Sequence, residues 1–323
     1  MALSSLTLHD PSTPDSGNYQ FEELLIDGDL LVFSSCAAVE YGRTADEYSF
    51  GEITQNIEGR IRAMQKRLRA KTVRIFFSSK DNFRYVIMPE YKSNRKDAWL
   101  PPSLEDAKAH TMALFHGEME PGLEADDLLA MAQKTDGSTI IATIDKDIPQ
   151  VNGMHYRWET QHAGEKLFEV GGYGELKLEV KLKDGKKKSK VHGNGVRFFC
   201  YQLLIGDPTD GVMGCGKLEH MVYKTGAKAG QTYSKRVGVG PVEAYELLEH
   251  AITYPRAMAI VMAQYQHVFG DEWEEKLLAN GRCLFMTRQK NAAGQFQLWH
   301  FKKEEYQNSW YDPATASIVT FKG

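Results

Sequence analysis

The sequence predicts an α/β fold built on a mostly parallel sheet flanked by helices. Apolar, β-branched runs alternate with segments of helical periodicity through the first 150 residues, the βαβ pattern of a parallel sheet. Two of those runs end directly on carboxylates, Asp27 and Asp145. Beyond about residue 150 the pattern changes to a Lys-tipped hairpin and then to helices, so a second module follows the first.

Taken in order, residues 1–20 are polar with two Pro and several Ser, which predicts a flexible N-terminal segment and no signal peptide. Glu23-Leu-Leu-Ile26 reads as a buried strand that presents Asp27-Gly28-Asp29 at its C-terminal end. Ile53, Ile57, Ile61, Met64 and Leu68 recur at near-helical spacing, with Arg60, Lys66, Arg67 and Arg69 on other faces. Val73–Phe77 is the next strand. Ser103–Gly117 is a helix with Ser103 as its expected N-cap, and Glu124–Lys134 is another with acids in its first turn. Thr139–Ile144 is a β-branched strand leading to Asp145. Residues 21–160 therefore read as a core domain containing a long loop over 89–123. Residues 161–195 read as an insertion whose alternating Leu176, Leu178, Val180 and Leu182 turn at Lys183-Asp-Gly-Lys186 into a partner strand. Helices follow at Val196–Ile205, Val242–His250 and Arg256–Phe269, and Arg282–Met286 and Phe296–Phe301 read as two closing strands.

Composition narrows the class. Of 323 residues, 42% are apolar and 25% charged, the globular average, which excludes a largely disordered or fibrous chain. No run of about 18 apolar residues exists, so no membrane span is expected. The four cysteines, Cys36, Cys200, Cys215 and Cys283, include no C-x-x-C pair, which fits a reducing cytoplasm better than a disulfide framework. The net charge of −4 hides segregation: residues 60–74 carry seven bases and no acid, 181–190 six Lys and one Asp, and 118–127 five acids and no base. Such sorting points to a polyanion at one place and cations at another.

The chemistry concentrates in carboxylates at strand ends and helix starts: Asp27 and Asp29, Glu124, Asp126 and Asp127, Asp145 and Asp147, Asp207 and Asp210. In an open parallel sheet the C-terminal strand ends face one crevice, the usual ligand site. So many acids there would repel one another without cations, and hard divalent ions with oxygen ligands, Mg²⁺ above all, relieve that. Each cluster alone reads equally as a turn, a helix cap or a solvated strand end; it is their coincidence that favours a shared metal site. The basic loop Tyr91-Lys-Ser-Asn-Arg95-Lys96 is a solvated connection on the bland reading. Beside metals, its Lys and Arg suit phosphate oxygens and its Tyr an unpaired base.

These motifs resemble the 5′-nuclease (flap endonuclease) family, with closest likeness to the stand-alone 5′-3′ exonucleases of short-tailed bacteriophages. Leu25-Ile-Asp27-Gly28, Pro89-Glu-Tyr-Lys-Ser-Asn-Arg95, Glu124-Ala-Asp-Asp127, Thr143-Ile-Asp-Lys-Asp147 and Leu204-Ile-Gly-Asp207-Pro-Thr-Asp210-Gly211 stand in the family's order. The resemblance implies a PIN-like core and, over residues 196–323, a helix–three-turn–helix DNA-binding module. It implies two Mg²⁺ ions, replaceable by Mn²⁺, and K⁺ at the DNA-binding hairpin. Asp27, Glu124, Asp126 and Asp145 would hold the first metal and Asp147, Asp207 and Asp210 the second, with Asp127 supporting either. Lys92 and Arg95 would act on the scissile phosphate and Tyr91 would stack on the terminal nucleotide, with Lys96 beside them. DNA would also meet Lys224, Lys228, Lys235 and Arg236 and the backbone at Gly238 and Gly240. Lys186, Lys187, Lys188 and Lys190 on the hairpin have no counterpart in the family and read either as a solvated tip or as contacts to duplex phosphates. Where many members carry an Asp after the second strand this chain has Ser78-Ser79, leaving that position to Asp81, to water or to no ligand. The family's glycine hairpin matches either Gly214-Cys-Gly216 or Gly238-Val-Gly240.

The expected activity is two-metal hydrolysis of phosphodiester bonds from the 5′ end of duplex or flap DNA, with an RNA:DNA hybrid as a further substrate, in a phage-infected bacterial cell. Two rivals stand beside it: a non-catalytic DNA-binding protein on the same fold, which would have lost acids, and a metal-dependent phosphatase, which would have no use for three basic segments.

Overall fold

The computed structural model describes residues 20–183, 186–301, 309–312, 315 and 317–320. The N-terminal segment 1–19, the turn 184–185 and the Lys183 and Lys186 side chains lie outside the described residues.

Strand β1 (Phe21–Asp27) leads into helix α1 (Gly28–Glu40), α2 (Phe50–Leu68) and strand β2 (Ala70–Phe76). A short helix α3 (Arg84–Ile87), α4 (Leu104–Phe115) and α5 (Ala125–Ala132) precede β3 (Thr139–Ala142), β4 (Gly153–Arg157) and β5 (Lys166–Val170). The five strands form one sheet in the order β2-β1-β3-β4-β5. Its first four strands are parallel and β5 is an antiparallel edge.

The sheet is covered on both faces, which explains why β1 reads as a continuous apolar run rather than an alternating one. Leu24 and Ile26 pack with Ile75, Ile140 and Ala142 against α1 and α2, where Ile53, Ile57, Ile61 and Met64 form the expected buried stripe. Leu25, Phe76 and Ile141 face the other way, against Leu128 and Leu129 of α5. Because β1 and β3 are parallel and in register (Leu25 opposite Ile141), both end at one edge and deliver Asp27, Thr143 and Asp145 together. Ser103 occupies the N-cap of α4, but its side chain makes no capping bond; its N–H donates instead to Glu40 Oε1 at 3.1 Å.

The hairpin of β6 (Leu176–Lys183) and β7 (Lys186–Gly193) follows, antiparallel and fully registered. Helix α6 (Gly195–Ile205) leaves it, and a second hairpin, β8 (Gly216–Val222) with β9 (Thr232–Gly238), precedes α7 (Pro241–Leu248), α8 (Tyr254–Phe269) and α9 (Trp273–Leu284). The second hairpin is absent from the sequence reading and stands where simple turns between helices were expected. Two further corrections concern the end of the chain. Arg282–Leu284, expected as a strand, is the last turn of α9, where Leu277, Cys283 and Leu284 join the core of α6 and α8. Of the expected strand Phe296–Phe301 only β10 (Phe296–Gln297) forms, pairing with β11 (Ser309–Asp312), itself paired with β12 (Ser317–Thr320).

Candidate active site

One cavity is lined by Tyr91, Lys92, Arg95, Glu124, Asp126, Asp145, Lys146, Asp147, Asp207 and Asp210, among others. Its floor is the C-terminal edge of the sheet. Asp27 ends β1, accepts the Leu30 N–H at 3.0 Å as the N-cap of α1, and accepts the Thr143 hydroxyl at 2.8 Å. Thr143 Oγ1 in turn accepts the Asp145 N–H at 3.0 Å, and Asp145 Oδ1 accepts the Asp147 N–H at 2.6 Å. Glu124 and Asp126 come from the start of α5. Asp207 and Asp210 come from the loop after α6, where Gly206 at φ 74° has room for no Cβ: the Val212 carbonyl would lie 2.2 Å from it.

The acids compete for few cations. Lys92 Nζ binds Glu124 and lies 3.8 Å from Asp210. Arg95 pairs with Asp210, and Lys146 Nζ donates to both Asp207 oxygens at 3.2 and 3.3 Å. Burial alone would raise Glu124, but Arg84 and Lys92 overcome it and hold its carboxyl below the usual range. Burial likewise opposes Asp207, but bonds from Asp147 and Lys146 keep it low. The rest go the other way. Burial, then repulsion from Asp29 and Asp145, pushes Asp27 up to about 7. Burial and Asp145 push Asp147 up to about 9. Asp126 is raised well above the carboxylate range by burial and by Asp145, Asp27 and Glu124, and burial raises Asp145.

In the structure three expected site residues, and Asp81, are engaged elsewhere. Asp127 is not available to a metal: it is fully buried, binds Arg84 with both oxygens at 2.7 and 3.0 Å, and accepts the N–H groups of Thr287 and Glu124. Tyr91 is no stacking platform: only 2% exposed, it donates its hydroxyl to Asp210 at 2.8 Å and lies 3.2 Å from Glu124. Arg236 donates to the carbonyls of Met213, Val239 and Leu204 at 2.8–3.0 Å, so it staples the base of the second hairpin. Asp81 is spent on Ser79 and the Gly122 N–H and does not line the cavity; Ser78 bonds the Ala125 N–H and the Asp29 carboxylate instead.

The remaining candidates lie outside the cavity. Lys96, Lys187, Lys188, Lys190, Lys224, Lys228 and Lys235 are exposed. Gly238, at φ 148°, is required by the Cys215 carbonyl 2.3 Å from where its Cβ would be, whereas Gly240 has open space around it at the N-cap of α7. Sequence reasoning missed Arg84, whose guanidinium also reaches the Cys283 and Phe285 carbonyls, and Gln202, which donates to Asp147 at 2.7 Å and is itself held by Gln150.

With Asp127 and Arg84 neutralising each other, six carboxyls that line the cavity (Glu124, Asp126, Asp145, Asp147, Asp207 and Asp210) and Asp27, buried near Asp126, stand against three cations (Lys92, Arg95 and Lys146). With every carboxyl ionised, the excess of four negative charges equals the charge of two divalent ions, and all the donors are the hard oxygens such ions prefer. By donor chemistry and charge, the site fits them. Among the described residues no three donors stand in ligating geometry around one point; Glu124, Asp207 and Asp210 are turned to their own cations.

Comparison with known proteins finds likenesses among nucleases. Residues 22–170 match the family model of the 5′-3′ exonuclease N-terminal, resolvase-like domain. The exodeoxyribonuclease of Enterobacteria phage T3 is 24% identical over 241 residues, covering 68% of this chain and 76% of its own. The exonuclease of Escherichia phage T7 is 24% identical over 217 residues, covering 60% and 71%. The flap endonuclease of bacteriophage T5, solved as a pseudo-enzyme–product complex with DNA and metal ions, aligns over 82% of this chain and 86% of its own at 17% identity and a TM-score of 0.49. Residues 22–170, which span the sheet and most of the acidic cluster, are thus similar to the N-terminal domain of the 5′-3′ exonucleases.

Proposed function

We propose that this 5′-3′ exonuclease hydrolyses the phosphodiester bonds of DNA from a 5′ end, with two divalent ions held among Asp27, Glu124, Asp126, Asp145, Asp147, Asp207 and Asp210. The observation that carries the reading is the crowding of seven carboxyls against three cations at one strand edge, four of them pushed upward by burial and mutual repulsion. Mg²⁺ suits these ligands, and Mn²⁺ accepts the same oxygens. When bound, such a pair supplies Lewis acidity and a water of lowered pKa for in-line displacement at phosphorus.

The protein's own residues position that chemistry. Gln202 and Thr143 fix Asp147 and Asp27, and Tyr91 fixes Asp210. Lys92 and Arg95, on the single turn at the cavity rim, offer positive charge to the phosphate that is cut. The open N-terminus of α7 at Gly240 suits a backbone phosphate of the duplex. Likeness to the phage T3 exodeoxyribonuclease supports DNA as the substrate class.

The test uses duplex DNA labelled at either the 5′ or the 3′ end, with Mg²⁺ or EDTA, beside an RNA:DNA duplex. The 5′ label should appear first in short products and the 3′-labelled strand should shorten progressively, only with metal. Release of the 3′ label first, or cleavage in EDTA, would refute the reading.

A further inference from the structure

We propose that one face of the β6–β7 hairpin holds the phosphate backbone of duplex DNA within about one and a half helical turns of the bond that is cut. The inference rests on the DNA-nuclease reading above and adds a second point of contact to it.

The register separates the hairpin into two faces, because directly paired residues of an antiparallel ladder project to the same side. One face pairs Lys177 with His192, Glu179 with Lys190, Lys181 with Lys188 and Lys183 with Lys186. The other pairs Leu176 with Gly193, Leu178 with Val191, Val180 with Ser189 and Leu182 with Lys187. Among the described side chains the first face carries four Lys, one His and one Glu; Lys177 pairs with Glu175 at 3.0 Å and Lys181 with Glu179 at 2.9 Å, leaving Lys188 and Lys190. Of its three cross-strand pairs with described side chains, one is Lys181 opposite Lys188, a like-charge pairing that destabilises a hairpin. The basic run 60–74 behaves differently. Arg60 bonds Ser34 and Ser35, Arg67 pairs with Glu165, and Arg74 pairs with Glu118 and Glu23. The second hairpin is also different, with Glu219 opposite Lys235 and Lys217 opposite Val237. Among the described residues Lys188 and Lys190 are exposed and join no ion pair. A one-sided cationic ribbon maintained against its own repulsion fits a polyanion.

Geometry sets where it acts. The root of the hairpin packs on the second module through Leu176 and Val191, and β7 runs into α6, whose end delivers Asp207. The 11 residues of α6 span ~16 Å. The strand from Gly193 back to Lys188 adds ~17 Å. With ~7 Å for the two residues at each end of α6, Lys188 is at most ~47 Å from Asp207, within one and a half turns of duplex. Same-face positions recur every ~6.6 Å along the ribbon, so several can meet one strand's phosphates.

The test measures binding in Ca²⁺ to stem-loop DNAs of about 6 and about 24 base pairs, which at 3.4 Å per base pair fall short of and exceed that reach. On the long stem, Lys181→Gln/Lys188→Gln/Lys190→Gln should weaken binding at least tenfold and flatten the salt dependence by about 0.9 in log–log slope per lost phosphate contact. The short stem should bind equally to both proteins. Lys187, one of the expected DNA contacts, pairs with Leu182 on the opposite face. Lys187→Gln should therefore leave the long-stem slope unchanged, and the Lys→Arg triple should retain wild-type binding, which also controls for folding. An unchanged slope with the triple Gln variant, an equal loss on both stems, or an equal effect of Lys187→Gln overturns the proposal while wild-type cleavage leaves the nuclease reading standing. Wild-type protein that neither binds nor cleaves either stem overturns both.

Discussion

Arg84 and Asp127 form a two-pronged ion pair, at 2.7 and 3.0 Å, in which neither side chain reaches solvent. Asp127 also accepts the Thr287 N–H at 2.8 Å, and Arg84 donates to the Cys283 carbonyl at 2.9 Å. The pair therefore ties α3 and α5 of the sheet domain to the end of α9. It also sets the first turn of α5, from which Glu124 and Asp126 enter the cavity.

Removing one partner of such a pair leaves a buried charge uncompensated, typically costing about 3–5 kcal/mol. Arg84→Met and Asp127→Asn should each lower stability on that scale in urea unfolding, and the double variant should be less destabilised than the sum of the two. Additive effects would show that the residues act separately.

Asp126 and Asp127 illustrate what a sequence can and cannot carry. Adjacent residues on a helix point ~100° apart, so one acid enters the cavity and the other the core; their order follows from Arg84, in a four-residue helix with no readable period. Asp27 and Asp145 were legible because an apolar run ending on an acid is a strand end in a parallel sheet. Tyr91 was not: a Tyr among Lys, Ser, Asn and Arg reads as exposed, and only the fold buries it between Glu124 and Asp210. Arg236 misled for the same reason, as a cation in a basic segment whose donors are taken by three carbonyls. At the end of α9, the apolar segment Arg282–Met286 reads as a strand, and just before it stands Gly281. It is glycine because the Trp299 ring lies 2.1 Å from where its Cβ would stand, and the helix continues through it.

The raised carboxyls give stability a pH dependence whose sign is fixed. Asp27 and Asp147 bind protons more tightly folded, at about 7 and about 9, than at the ordinary 3.8. Their contribution is complete at low pH and is lost as pH rises through those values. In EDTA the melting temperature should fall between pH 6 and pH 9.5. Divalent ions need ionised ligands, so Mg²⁺ should raise Tm more at pH 9 than at pH 6, and calorimetry should detect proton release on binding near pH 7. A flat melting profile with a pH-independent Mg²⁺ effect would remove the coupled cluster.

Asp145 raises both Asp27 and Asp147. Asp145→Asn removes that repulsion, yet its amide oxygen can still accept the Asp147 N–H. The variant should melt higher than wild type in EDTA and bind duplex DNA in Ca²⁺ normally. Its cleavage should fall at least about 10²-fold, since losing even an outer partner of a metal ligand costs 10–100-fold. Wild-type turnover would place the metals elsewhere.

Tyr91→Phe separates two roles for one ring. If the hydroxyl orients Asp210 and Glu124, the variant should need several-fold more Mg²⁺ for half-maximal rate, with unchanged affinity for single-stranded 5′ ends in Ca²⁺. A stacking ring would behave oppositely: Tyr91→Phe would be silent, because Phe stacks as well as Tyr.

Lys92 decides whether the rim loop does chemistry or docking. Its backbone is left-handed, at φ 56°, and its N–H donates to the Asp210 carbonyl at 2.9 Å, so the loop is anchored independently of the side chain. Lys92→Met keeps the stem and removes only the charge. A cation that meets the phosphate mainly as charge builds in the transition state affects rate more than binding. Losing one such donor costs about 10²–10³-fold. Single-turnover cleavage at saturating protein should fall on that scale while DNA affinity in Ca²⁺ changes only a few-fold. Arg95, whose planar fork can bridge two phosphate oxygens, should not tolerate Lys silently. If Lys92→Met loses affinity and rate in equal proportion, the loop docks the substrate; if both variants cleave within a few-fold of wild type, it is a solvated connection between α3 and α4.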